Sequence, residues 1–188
     1  MTTIRNATPG DAKRLLEIYA WYVERTAVSF EIETPSPAAF RDRMARTMER
    51  YPWLVVEEDG MVQGYAYAGA FKGRAAYDWS CETTIYLDRG ARGRGLGRKL
   101  YGALEAELKA MGILNLYACV TWQDAEDETL TQDSPRFHAR MGYAEVGRFR
   151  RCGHKFGRWY DMIWMGKDIG PHGPDPAPVK WRGELADG

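Results

Sequence analysis

The chain has 188 residues, enough for one domain with a substantial core and too few for two comfortable ones, so no disulfide or metal is needed to fold it. Its 26 basic and 26 acidic side chains cancel to zero formal charge, which leaves no domain-wide positive field for nucleic acid. Cys81, Cys119 and Cys152 are odd in number and far apart, fitting neither a metal half-site nor a disulfide scaffold; with no apolar run of membrane-spanning length, a reducing cytoplasm is the expected compartment.

In chain order, residues 3–6 read as a short strand. Thr8-Pro9-Gly10-Asp11 then supplies a cap, a proline and an acidic first turn, and Leu15, Ile18, Tyr19 and Tyr22 recur at helical spacing through about Arg25. Residues 26–35, with Phe30 among them, form a loop. Ser36-Pro37 repeats the start signal, and Phe40, Met44, Met48 and Tyr51 stripe a second helix that ends before Pro52. Segments 53–57 and 61–69 flank Glu58-Asp59-Gly60, a hairpin signal. Residues 72–77 are a polar connection. Residues 78–87 are a strand rich in β-branched and aromatic side chains, and a helix with Leu96, Leu100, Leu104 and Leu108 on one face runs to Met111. Residues 114–121 read as a buried strand, parallel to the previous one because a helix joins them. After an acidic, turn-like stretch at 122–133, Ser134-Pro135 opens a short helix carrying Phe137, His138 and Met141. Segments 144–150 and 159–167 are a final strand pair joined by a basic, glycine-containing connection. Residues 170–188, with four prolines and few core-forming side chains, are expected to be a tail.

The most informative stretch lies between the strand at 78–87 and the helix after it. Gly93, Gly95 and Gly97 uncover the backbone where helix N–H groups lack internal partners, while Arg92, Arg94, Arg98 and Lys99 crowd positive charge there, a setting for phosphate oxygens. A P-loop would need a Gly-Lys pair followed by Ser or Thr, and none occurs here. A dinucleotide fingerprint would need G-x-G-x-x-G on an early strand, whereas Gly93-x-Gly95-x-Gly97 follows an antiparallel hairpin. A solvated glycine-arginine turn stands as the plain alternative, and an arginine-glycine RNA contact would want a disordered or basic setting that is missing.

Arg92-x-x-Gly95-x-Gly97, placed in this order of elements, resembles the coenzyme A pyrophosphate loop of the GNAT superfamily of N-acetyltransferases. Within it the chain is similar to the phosphinothricin and methionine sulfoximine acetyltransferase subgroup. The matching pieces are Arg50-Tyr-Pro-Trp-Leu-Val, Gly64-Tyr-Ala-Tyr-Ala-Gly, Lys72-x-Arg74-x-Ala-Tyr77-Asp-Trp, Glu82-x-Thr84-x-Tyr86, Phe137-His138-x-x-Met-Gly-Tyr and Lys155-Phe-Gly-Arg-Trp-x-Asp161. Two departures stand out: segment 122–135 is longer and more acidic than the family's connection, and Thr131-Gln132-Asp133 stands where relatives commonly carry asparagine.

The resemblance implies an α/β (α+β) GNAT fold over residues 1–169, a mixed sheet with helices on both faces and strands that splay at the acetyl-CoA site. It also implies a homodimer, with the last strands as the contact. Acetyl-CoA would be the cosubstrate and no metal is called for. The coenzyme would be held by Arg92, Gly93, Arg94, Gly95, Leu96, Gly97, Arg98 and Ser134, with backbone N–H groups of Ile85, Tyr86 and Leu87 polarising the thioester carbonyl. Glu82 maps onto the family's catalytic carboxylate. On a strand it shares a face with Thr84 and Tyr86, and apolar neighbours would raise its pKa toward that of a useful base; the plain alternative is a sheet carboxylate paired with a Lys or Arg. His138 sits where many members carry a tyrosine that protonates the departing thiolate; otherwise it is a packed or capping residue. Lys72, Arg74 and Tyr77 suit a carboxylate or phosphinate on the acceptor, with Phe30 as an apolar wall, unless the two cations are merely a solvated loop. The expected activity is acetyl transfer to a small amino-acid-like amine. A polyamine or protein N-terminus as acceptor, or a sensor that binds acetyl-CoA without turnover, are the alternatives.

Overall fold

In the computed structural model, which describes residues 1–185, the chain runs β1 (Thr2–Asn6), α1 (Ala12–Arg25), α2 (Pro37–Met48), β2 (Trp53–Glu58), β3 (Met61–Ala70), β4 (Ser80–Leu87), α3 (Leu96–Met111), β5 (Asn115–Trp122), α4 (Asp133–Arg140), β6 (Ala144–Lys155), β7 (Arg158–Asp168) and α5 (Arg182–Leu185). The strands form one sheet in the order β1-β2-β3-β4-β5-β7-β6. Only β4 and β5, the pair joined by α3, are parallel.

Alternation along β2 divides the core. Trp53 and Val55 face α1 and α2 with Leu15, Tyr19, Tyr22, Phe40 and Met44, while Leu54 and Val56 face α3 with Leu100, Leu104 and Leu108. Both faces of the one sheet are thus covered by helices. Each fully buried leucine of α3 contributes roughly 1.5–3 kcal/mol, so the apolar stripe, more than intrinsic propensity, holds that helix.

Asp59 (φ 51°) and Gly60 (φ 78°) make the expected tight hairpin turn between β2 and β3. The same device joins the last two strands at Phe156 (φ 51°) and Gly157 (φ 73°), so the connection expected from about residue 151 is mostly strand. The ladder there carries an irregularity between Phe149 and Gly153, where Arg151 takes φ 50° and its N–H donates to Asp161 Oδ1 at 2.8 Å. Extra residues in one strand break the period-two pattern, which makes a bulge read as loop.

The stretch expected to be a tail is tied down as far as it is described. Trp79 Nε1 donates to Ala177 O and Lys180 N–H to Met111 O, at 2.8 and 2.9 Å. Val179 is buried beside α3, and the Arg50 guanidinium lies 3.7 Å from the centre of the Trp181 ring. Residues 186–188 of that stretch lie outside the described residues.

The feature that positions the site is a parting of the sheet. β4 and β5 pair only at Ser80–Asn115, Cys81–Leu116 and Glu82–Tyr117, after which both strands continue without pairing to one another. Side chains keep the gap open by taking the freed acceptors: Thr83 Oγ1 donates to Tyr117 O at 3.2 Å, and the Tyr22 hydroxyl reaches from α1 to Leu87 O at 2.6 Å.

Candidate active site

Backbone direction in the gap follows from the ladder. Asp88 N–H donates to Gln63 O on β3 at 2.7 Å, so by strand alternation the N–H groups of Leu87 and Ile85 point away from β3 and into the gap. Tyr86 N–H faces β3 instead, and its ring packs against Tyr19, Tyr22 and Tyr65. Two donors thus look into the slot, one fewer than the three-residue stretch suggested.

Beyond the strand, Asp88 Oδ1 accepts from Gly90 N–H at 2.9 Å and Asp88 Oδ2 from Arg14 at 2.6 Å, fixing the loop's first turn. Gly93 and Gly95 both take left-handed conformations (φ 73° and 76°). Gly95 sits at the cap position of α3 with no side chain satisfying the helix, so Leu96, Gly97 and Arg98 present a helix start open to anions. The Leu96 side chain is buried and can contribute only through its backbone. Gly97 has a packing reason as well: a Cβ there would stand 3.2 Å from Leu87 Cδ1 and 3.4 Å from Phe137 Cε2.

The cations of this loop divide. Arg92 stacks over Trp21 and Tyr22, 5.4 and 5.3 Å from the ring centres, and lines a cleft with Gly93, Ile85, Leu87, Ser134 and Phe137. Arg94 is turned away to pair with Glu58. Arg98 has no ion-pair partner among the described residues. Arg140, at the end of α4, lines the same cleft, as does Tyr22; neither was singled out as a site residue, because the first lies 48 residues on and the second reads as part of a core stripe.

A second cavity of about 260 Å³ threads the gap and is lined by Glu82, Thr84 and Tyr67 on one face of the sheet and by Thr83, Ser134 and His138 on the other. Glu82 is half-buried, has no ion pair among the described residues, and has its pKa raised by burial, with the charge of Lys72 partly opposing the rise. The plain alternative of a paired sheet carboxylate is therefore not what the structure shows. Lys72 reaches toward this edge with Nζ 5.2 Å from the Phe71 ring centre and 5.8 Å from that of Trp164. Phe30 lines the cavity; Lys72, Arg74 and Tyr77 are all exposed in the connection after β3 and none of them lines it. Cys119, Thr121 and Met162 complete the wall, gathered by the β5–β7 pairing rather than by any local signal.

His138 is buried. Its Nδ1 lies 2.8 Å from Ser134 O and its Nε2 lies 3.1 Å from the Tyr101 hydroxyl. The Tyr101 hydroxyl donates to Thr83 Oγ1 at 2.7 Å, and Thr83 in turn donates to Tyr117 O. Each hydroxyl has then used its one proton, so Tyr101 offers Nε2 a lone pair, and a ring protonated at both nitrogens satisfies every partner. Burial pulls the other way and lowers the His138 pKa. With both nitrogens engaged, delivery of a proton from this ring disturbs one of its two bonds, to Ser134 O at Nδ1 or to the Tyr101 hydroxyl at Nε2.

Inward backbone donors beside an uncapped helix start suit a thioester carried on a diphosphate tail, which is the chemistry of an acyl-CoA-dependent acyltransferase. The chain belongs to the GNAT acetyltransferase family: the family's domain model, an acetyltransferase (GNAT) domain, matches residues 4–164. It is an N-acetyltransferase that uses acetyl-CoA as cosubstrate. It is 36% identical over 177 residues to a phosphinothricin N-acetyltransferase of Streptomyces viridochromogenes, covering 94% of this chain and 92% of that one. It is 32% identical to an L-methionine sulfoximine/L-methionine sulfone acetyltransferase of Salmonella typhimurium, covering 90% and 96%. Among solved structures, a phosphinothricin acetyltransferase from Sinorhizobium meliloti in complex with acetyl-CoA superposes with a TM-score of 0.82 at 32% identity, covering 90% and 89%. The mixed, parted sheet is the one that this resemblance implied.

Proposed function

We propose that the protein acetylates the α-amine of a small, anionic, amino-acid-like acceptor of the phosphinothricin or methionine sulfoximine type, by direct attack in a ternary complex. The observation that carries the proposal is the cavity through the parted strands, which joins an unpaired carboxylate on one face to the coenzyme cleft on the other. The similarity to phosphinothricin and methionine sulfoximine acetyltransferases points to the same acceptor class.

When bound, acetyl-CoA supplies an activated carbonyl and a thiolate leaving group. Glu82 takes a proton from the acceptor ammonium, the freed nitrogen attacks the carbonyl carbon, and the Ile85 and Leu87 N–H groups hold the developing oxyanion. The nitrogen must also give up its second proton as the amide forms, and the departing thiolate must gain one; His138 is the buried titratable group at hand to supply that proton and be recharged by the one the nitrogen loses. Lys72, whose charge is felt at Glu82, is the cation best placed for the acceptor's anionic group; like Arg74 and Tyr77 it stands outside the cavity and would meet an acceptor at its rim. Arg92, Arg140 and the glycine-opened start of α3 would hold the coenzyme's phosphates, while Arg94 is occupied by Glu58.

Residues 1–169 form the catalytic domain in this reading, with 170–182 as a brace along its side. A cytoplasmic homodimer is part of the same proposal. β6 is a free sheet edge of 12 residues, and Val146, Phe149 and the neighbouring Trp159 are more than half exposed on that hairpin, a combination that favours pairing with a second copy. Thiol release from acetyl-CoA, screened over amino acids, their phosphinate and sulfoximine analogues and polyamines, tests the proposal. Turnover with the anionic analogues supports it. Turnover with polyamines alone, or coenzyme binding without release for any acceptor, overturns it.

A further inference from the structure

The loop between α1 and α2 brings Phe30 into the wall of the cavity beside Glu82, yet 37% of that residue is exposed. A ring half in solvent on a loop is held in place only if something beneath it fixes it. Gly153 of β6 lies directly under the ring: a Cβ at that position would stand 2.2 Å from Phe30 Cε2 and 2.4 Å from Cζ. The glycine is not required by its backbone, since its φ lies outside the left-handed region, so what the site uses is the missing side chain.

Two residues on, and so on the same face of β6, Lys155 is 4% exposed. Its Nζ donates to Val23 O and Ser29 O, both at 2.7 Å. Val23 lies near the end of α1 and Ser29 immediately precedes Phe30, so one buried ammonium brackets the start of the loop. No carboxylate pairs with it among the described ion pairs. The Ser29 Oγ is fixed in turn by the Tyr19 hydroxyl at 2.8 Å, and Tyr160, paired with Gly153 across the ladder, places its ring 6.3 Å from that of Phe30.

We infer that Gly153 is a specificity-determining position: with Lys155 anchoring the backbone, it seats Phe30 and thereby sets the acceptor side chain that the cavity accepts. The inference rests on the cavity beside Glu82 being the acceptor site. Gly153 touches no reacting atom and acts through Phe30.

Gly153→Ala tests it, because the backbone tolerates alanine and the ring can swing toward solvent. The acceptor KM is expected to rise about tenfold or more, the scale at which one methyl group is felt in an apolar pocket. Acetyl-CoA KM and the melting temperature are expected to stay unchanged, and relative kcat/KM to shift across amino acids of increasing side-chain length. A double-mutant cycle supplies the control: in a Phe30→Ala background, Gly153→Ala should have no further effect on the acceptor. An unchanged acceptor KM in Gly153→Ala, additive effects in the cycle, or an equal rise in both KM values overturns the inference. If Phe30→Ala itself leaves every acceptor constant untouched, the acceptor-site reading falls; if Phe30→Ala acts and Gly153→Ala does not, only the seat falls.

Discussion

The glycine loop proposed to hold the coenzyme's phosphates is one unbroken run of chain, residues 88–99, set against a cleft wall of Tyr22, Ile85, Leu87, Phe137 and Arg140, whereas the cavity beside Glu82 draws its walls from loop 26–35, β3, β4, β5, α4 and β7. In the first, glycines at positive φ and a bare helix start expose backbone, and the cost falls on a few residues close in sequence. The second is held by cross-ties between distant segments: Ala27 N–H to Thr129 O at 2.9 Å, Gln123 Nε2 to Leu130 O at 3.1 Å, and the Thr129 and Tyr160 hydroxyls 2.9 Å apart. A backbone cradle varies little with side-chain change, while a wall of side chains alters with each substitution. In the proposed reading, an invariant cosubstrate meets the cradle and an adjustable acceptor meets the wall, with Val28, Ile85 and Ser134 shared between the two cavities.

Glu82 stands at the floor of the gap where the two regions meet, and its removal should give the largest effect. Glu82→Gln is expected to lower kcat by roughly 10²–10⁴-fold, the range for losing a general base, with acetyl-CoA affinity retained. Calorimetric titration beside steady-state kinetics checks both halves, and unchanged turnover would remove Glu82 from the reaction. The pH dependence follows in sign. Burial raises the Glu82 pKa and the working form is the carboxylate, so kcat/KM should fall as pH drops through a value above the ordinary range for glutamate, and that limb should vanish in the variant.

Gly95→Val would place a β-branched residue at φ 76° on the coenzyme side. The left-handed conformation alone costs about 1–2 kcal/mol for an L-residue, or roughly a tenfold loss of coenzyme affinity if the loop yields instead. The acceptor KM should not move. A variant that weakened both substrates equally would break the separation between the two regions.

The same contrast explains what could be read from the chain. Helical stripes such as Leu100-Leu104-Leu108, the Asp59-Gly60 turn and the glycine loop are local patterns, and they located the elements and the coenzyme side. That Glu82 shares a face of β4 with Thr84 was legible from alternation; its part in the reaction is proposed from the family resemblance and the cavity it lines. Tyr22, Arg140, Cys119 and Met162 were not singled out, because only the folded sheet brings them to a cavity wall. Arg94 looked free for phosphate from its position in the loop, but Glu58, on a strand laid down earlier, takes it. The stretch at 122–133 read as acidic and turn-like. In the fold, Glu126 pairs with Arg136, Asp124 with Arg148 and Asp127 with Arg158, so these three charges help to hold a rim.

Asp127 offers the gentlest test of the comparison, since it shapes the acceptor rim without lining either cavity. Its Oδ1 accepts from Thr129 N–H and Thr129 Oγ1, both at 2.7 Å, and from Leu130 N–H at 3.0 Å, and the buried Leu130 lines the cavity. Burial pushes the carboxyl up, but the hydrogen bonds from Thr129, Gln123 and Leu130 together outweigh it and hold the pKa at about 2. Asp127→Ala is expected to cost about 1–2 kcal/mol, the scale of a few lost bonds to a partly buried carboxylate. Urea unfolding measures that loss, and a rise of a few-fold in acceptor KM, with acetyl-CoA KM constant, should accompany it. Because the folded state binds this proton less readily than the unfolded chain, the stabilisation is complete above about pH 4 and disappears as pH falls toward 2. The stability gap between the native protein and Asp127→Ala should accordingly narrow on acidification. A gap that stayed constant from pH 5 to pH 2.5 would mean that the rim is held by packing around Leu130 and not by this carboxylate.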